Sequence, residues 1–180
     1  MRLARLGLLT LLTLAPSAAW AQAKPADASG QNPRAVQMKA LEHQRQFLLQ
    51  MADSMPERLY ADKATPAQRS FTEQVQHAAG AVPFVSAMAL KGPRPALPDS
   101  STANTRAGLK AFIHASFDYA TNLLKNQTDE SRASTVSLFG QSMPGWQVWD
   151  EIHTHTVWTA GQVVANFRKN GMAPPALTFF

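Results

Sequence analysis

Cysteine is absent from all 180 residues. That excludes disulfides, a thiol nucleophile, thiolate metal ligands and a lipid anchor attached through cysteine, so the fold must hold together by packing alone. Charge of one sign is also scarce. The 17 lysines and arginines fall to 15 once Arg2 and Arg5 are set aside with the leader described below, against 12 acidic residues. An excess of about three is far from the clustered basic stripe of a nucleic-acid binder, so no nucleic-acid partner is expected. No phosphate-cradling glycine loop and no Ser-His-Asp arrangement is present. Beyond the first residues no apolar run approaches the roughly 20 residues of a membrane span, so no stable membrane anchor is expected.

What is there begins with a leader. Arg2 and Arg5 form a positive start, Leu6 to Ala15 is an apolar run too short to span, and Pro16 leads to Ala19-Trp20-Ala21. This is the pattern of a cleavable signal peptide over residues 1–21, with cleavage after Ala21 (Ala23 being the alternative) and a periplasmic or secreted product. Residues 22–34 are rich in Ala, Pro, Ser, Gly and Asn without periodicity, which reads as a flexible lead-in. Residues 35–180 have the length of one domain.

Within that domain the hydrophobic period is helical. Met38, Leu41, Leu48, Met51 and Met55 form a first stripe that ends at Pro56, with His43 on the opposite, solvated side. A loop follows. Ser70 to Glu73 is a capping box that opens a second helix through Phe71, Val75, Ala78 and Val82. Pro83 is expected to kink or split it, and Gly92-Pro93 to stop it. A long proline-rich loop over residues 91–104 leads to a third helix marked by Leu109, Phe112, Phe117, Ala120 and Leu124. His114 and Asp118 stand four apart there, on the solvated side. Residues 133–143 read as a loop with a brief extended piece. Pro144 suits the first turn of a fourth helix, which runs to about Asn170 with Gly171 beyond it. Trp146, Trp149, Trp158 and Met residues 38, 51, 55 and 88 read as core. Four apolar-faced helices without a convincing strand imply an all-α, up-and-down-type four-helix bundle.

Two histidines then stand out. His155 shares a helix face with Ile152, Thr159 and Gln162, and His77 lies on the second helix, which can face it. Inward histidines on two helices are how a bundle builds a metal site. The plain alternative is a hydrogen-bonded histidine packed between helices. His153, rotated by roughly 200° from His155, is expected near Trp146 and Trp149 instead. Glu73 is already used by the capping box.

The order of features resembles the DinB-like (DinB/YfiT-type) superfamily of four-helix bundles. The segment Met51 to Tyr60 is similar to the family's first-helix end and its Y-bearing loop, and Pro66 to Phe71 to its entry into the second helix. Leu138-Phe139-Gly140 is similar to its "fG" turn, His155 to Gln162 to "H-x-x-x-H-R-G-Q", and Phe167 to Pro175 to its C-terminal tail. The resemblance implies a divalent metal, zinc or nickel, between helices 2 and 4, held by three histidines, one from helix 2 and two from helix 4. His77 and His155 match two of those positions; the third is Thr159, and the arginine after it is Ala160. A hydroxyl is a poor substitute for imidazole, so the resemblance implies a weakened or vestigial site. It leaves two function classes. One is a thiol-dependent metal transferase or isomerase. The other is a non-catalytic bundle that binds a small molecule or a protein. Pairing into a homodimer through helix faces is a further expectation.

Overall fold

The structure, a computed structural model, describes residues 32–178. The leader and all but the last three residues of the lead-in lie outside the described residues. The first helix, α1 (Pro33–Ser54), starts slightly earlier than the apolar stripe suggests. Asn32 caps it by accepting from the Arg34 amide, and Pro33 occupies the first turn, where its missing N–H is not needed.

Helix α2 (Phe71–Leu90) is opened by the capping box as expected: Ser70 Oγ accepts from the Glu73 amide at 3.3 Å and Glu73 accepts from the Ser70 amide at 2.7 Å. Pro83 does not split it; the helix passes through with Pro83 buried. Lys91, in the left-handed conformation at φ 54°, closes the helix, and the Gly92 amide donates back to the Ala87 carbonyl. Helix α3 (Arg106–Asn126) is capped by Thr105, α4 (Asp129–Ala133) is a single turn, and α5 (Gln147–Lys169) ends before Gly171 at φ 68°.

Between α4 and α5 the chain forms an antiparallel hairpin, β1 (Thr135–Leu138) and β2 (Gln141–Pro144), in which Thr135 pairs with Pro144 and Leu138 with Gln141. The brief extended piece expected over residues 133–143 is thus a two-stranded hairpin within a mostly helical domain, and Pro144, expected in a first helical turn, ends a strand instead. The hairpin turns on Phe139 (φ 49°) and Gly140 (φ 82°), the two left-handed residues of a tight primed turn.

The helices do not alternate up and down. Lys110–Asp53 and Arg45–Asp118 ion pairs, both 2.9 Å, run α3 antiparallel to α1. Gln37 with Asp150 and Gln44 with His153 run α1 parallel to α5. Phe71 against Phe167 and His77 against His155 run α2 antiparallel to α5. Gly80 against Phe112 and Gly92 against Tyr119 run α2 parallel to α3. The order is therefore up, down, down, up, with α2 and α1 each packed between α3 and α5. Parallel neighbours need a return connection. The loop over residues 91–105 supplies it, with a 3-10 turn at Ser100–Asn104 and Ala103 buried against the bundle.

Phe71, Phe117, Phe167, Leu48, Met51 and Ile113 are fully buried, each contributing about 1.5–3 kcal/mol of apolar burial. Trp149 belongs to this core and donates to Gln127 at 2.8 Å. Trp158 (73% exposed), Trp146 (43%) and Met88 (41%) do not, contrary to expectation. Helical periodicity places Met88 and Trp158 on a face, but among the described residues those faces stay exposed, and Trp146 precedes α5.

Candidate functional site

The pairing of α2 with α5 brings the two singled-out histidines together. Their rings meet edge to face with centroids 5.1 Å apart. Both are half-buried. Burial pushes the pKa of each below the usual histidine range, because it penalises the charged form. The Arg69 guanidinium acts in the same direction on both rings, and His155 adds to the effect on His77. At neutral pH the pair is uncharged under a nearby cation.

Thr159, one turn after His155, is 2% exposed. Its hydroxyl lies 3.4 Å from His155 Nε2, and its carbonyl accepts from Gln74 Nε2 at 3.2 Å. Gln162 accepts from the same Gln74 amide at 3.2 Å, so it is tied to α2 rather than left for a ligand. Glu73 stays in its capping box, its carboxyl held below the ordinary range chiefly by the Ser70 amide. His155 Nδ1 and the neighbouring Thr156 hydroxyl are buried with no hydrogen-bond partner among the described residues.

The remaining histidines are elsewhere. His153 is half-buried on α5 and hydrogen-bonds with Gln44 on α1. His43 is half-buried, with Nε2 3.1 Å from the Thr178 hydroxyl, where a solvated residue was expected. His114 and Asp118 are both exposed, and Asp118 is engaged by Arg45.

Two hollows flank the imidazole pair. His77 lines an open cleft of about 520 Å³, bounded by Lys63, Gln68, Arg69, Glu73, Gln76 and Ser100 among others. His155 lines a smaller hollow of about 160 Å³, bounded mainly by Ala81, Val85, Leu138, Phe139 and Ile152, with Glu151 and Thr156 as its other polar residues. Sequence reasoning found the pair but missed both hollows. Arg69 and Lys63 sit on an irregular loop with no period to read, and Phe139 is brought over α2 by the hairpin.

Whether these donors suit a metal can be read from their chemistry. Catalytic zinc takes three protein ligands and an open position. Two imidazoles converge here, while the third position offers a neutral hydroxyl that turns onto His155 itself. Among the described residues no three His, Asp or Glu side chains gather to hold a metal ion. A nearby guanidinium further opposes a divalent cation. The donor set does not fit a catalytic metal.

No family model matches the sequence, and no curated protein matches it. Among solved structures, a DinB-like protein from Bacillus cereus superposes with a TM-score of 0.65 at 14% identity, over 79% of this chain and 95% of that one. The fold is DinB-like. At that identity the likeness is one of architecture, and the site stands on its own residues. In this DinB-like bundle the two histidines occupy facing positions on α2 and α5, and no helix among the described residues is long and apolar enough to cross a membrane.

Proposed function

We propose that this is an exported, non-catalytic DinB-like bundle that binds a small molecule at the His77–His155 pair. The observation that carries the reading is the combination of a surviving pocket with an incomplete donor set. The two rings still converge and two hollows open beside them, yet Thr159 supplies no third nitrogen. Unpartnered polar atoms at His155 and Thr156 support a ligand with hydrogen-bonding capacity. Export rests on the leader over residues 1–21, and a mature N-terminus at Gln22 in protein recovered from the periplasm or medium tests it.

A second reading is favoured by the close approach of the rings: zinc or nickel held weakly by His77 and His155, with Thr159 hydrogen-bonding a coordinated water. Equilibrium dialysis of purified, untagged protein against zinc and against nickel separates the two. The small-molecule reading expects metal well below one per chain and no difference between wild type and His77→Ala. Near-stoichiometric metal that disappears in His77→Ala hands the lead to the metal reading, and with it to thiol-dependent chemistry.

A further inference from the structure

Several of the most exposed apolar side chains gather on one face of the bundle. Ala81, Phe84, Val85 and Met88 stand at i, i+3, i+4 and i+7 of α2 and so share one stripe of that helix. On α5, Glu151, His155 and Trp158 form a second stripe at i, i+4 and i+7. Phe139, at the tip of the hairpin, joins them, because it lines the apolar hollow together with Ala81, Val85, Glu151 and His155. Phe84 is 59% exposed, Phe139 72% and Trp158 73%. At about 150–250 Å² per aromatic side chain, these three leave roughly 300–500 Å² of apolar surface open. That matches the largest patch of a typical monomer, which is often a contact site. It is also about half of the roughly 800 Å² that each partner contributes to a stable interface, whose rim is polar.

The two ends of this face complement each other. At one end Phe139 projects, in a turn position at φ 49° where Asn or Gly is usual, and Glu151 lies at the same hollow. At the other end α2 runs out into an open cleft of about 480 Å³, lined by Phe84, Ala87, Met88, Gly92, Arg94 and Pro95. That volume is ample for one aromatic ring, since apolar cavities of about 150 Å³ admit benzene. Arg94 and Glu151 are both exposed, and neither has an ion-pair partner among the described residues. One end thus offers a ring and an anion, the other a cleft and a cation. A rotation of 180° about an axis between Phe84 and Met88, midway between the ends, lays each end on the other. This is the self-complementarity that an isologous contact requires.

We propose that two copies of this chain pair about a two-fold axis on this face. Phe139 of each copy enters the cleft of the other, and Glu151 of each meets Arg94 of the partner subunit. The cleft at His77 is bounded by the loop before α2 and by the first turns of that helix, at its opposite end. It stays open in the pair, so the proposal stands apart from the small-molecule reading.

Sedimentation velocity of the purified, untagged protein tests it, beside Phe139→Asn, Arg94→Glu, Glu151→Arg and the chain carrying both charge exchanges. Wild type should pass from monomer to dimer with a Kd in the micromolar range. Phe139→Asn should weaken pairing at least about a hundredfold, because two buried rings are lost per dimer. Its circular dichroism spectrum should stay that of wild type, because Asn suits the turn. Arg94→Glu and Glu151→Arg should each weaken pairing about tenfold by setting like charges opposite each other. The chain carrying both should regain most of the wild-type affinity, which a merely misfolded variant does not do. A wild type still monomeric at about 1 mM, where even a weak interface is populated, overturns the proposal. So does a monomer that instead binds phosphatidylglycerol vesicles through Phe139. A dimer untouched by Phe139→Asn overturns the choice of face. Absence of rescue in the chain carrying both exchanges overturns the two-fold register.

Discussion

Thr159 is the residue on which the metal question turns, and its environment defines a direct test. It is buried one turn from His155, with its hydroxyl toward the imidazole. Thr159→His places a third nitrogen one turn along α5 from His155, and zinc affinity is expected to rise by at least about tenfold over wild type. The larger ring must also be accommodated in a packed position, at a cost of about 1–3 kcal/mol. Calorimetric zinc titration combined with a urea melt separates the two effects. No gain in affinity in a folded variant shows that the surrounding scaffold no longer presents a metal geometry at all. Lys91 makes a second residue-scale case. It holds a left-handed conformation at φ 54° at the end of α2, where a Cβ is unfavourable and glycine is the usual occupant. Lys91→Gly is expected to stabilise the fold by up to about 1 kcal/mol, seen as a higher urea midpoint with an unchanged slope.

At the scale of the element, α2 and α5 form the unit that carries the site, and their histidines make its stability depend on pH. His77, His155 and His153 all have pKa values pushed below the usual range, primarily by burial. A depressed folded-state pKa means that the unfolded chain binds protons first as pH falls. The stability from keeping these rings neutral is thus complete above their ordinary pKa of about 6.5 and is lost as pH falls from there toward the depressed folded values. Urea midpoints should fall between pH 7.5 and pH 5.5, and His77→Gln with His155→Gln should flatten that slope. An equally steep slope in the double variant would place the pH dependence elsewhere. The same unit shows what a sequence reveals and what it hides. The stripes from Met38 to Met55 and from Leu109 to Leu124 repeat at the helical period, and the capping box at Ser70 and the glycine at 171 mark ends chemically, so element existence and most boundaries were legible. The hairpin was not: it has four residues per strand, and its turn carries Phe139 where a turn-forming Asn is usual. Trp146 and Trp158 misled for a related reason, since hydrophobicity alone does not tell which outer face lacks a neighbour. The imidazole pair was legible because each histidine lay on a readable helix. The cations beside it lie on a loop that has no period.

For the whole molecule, the controlling fact is that α2 and α3 run parallel, which no local pattern encodes. The chain must climb back along the bundle between Lys91 and Thr105. Retracing a helix of 20 residues means about 30 Å at 1.5 Å per residue. The 3-10 turn of 5 residues covers about 10 Å at roughly 2 Å each. The other ten residues, extended like the prolines among them, add about 31 Å at roughly 3.1 Å each. The loop therefore has about 10 Å to spare. Removing residues 94–98 takes away about 15 Å and also Leu97, which packs against the core, so the parallel arrangement can no longer be spanned. This deletion is expected to abolish the cooperative melt or to yield a swapped dimer in which each α3 packs on its neighbour's α2. Inserting five Gly/Ser residues after Ala96 should cost under about 1 kcal/mol, because loop-closure entropy grows only with the logarithm of length. Circular dichroism melts with sizing chromatography distinguish the outcomes. If the deletion melts as a stable monomer, this loop does not set the parallel order of α2 and α3.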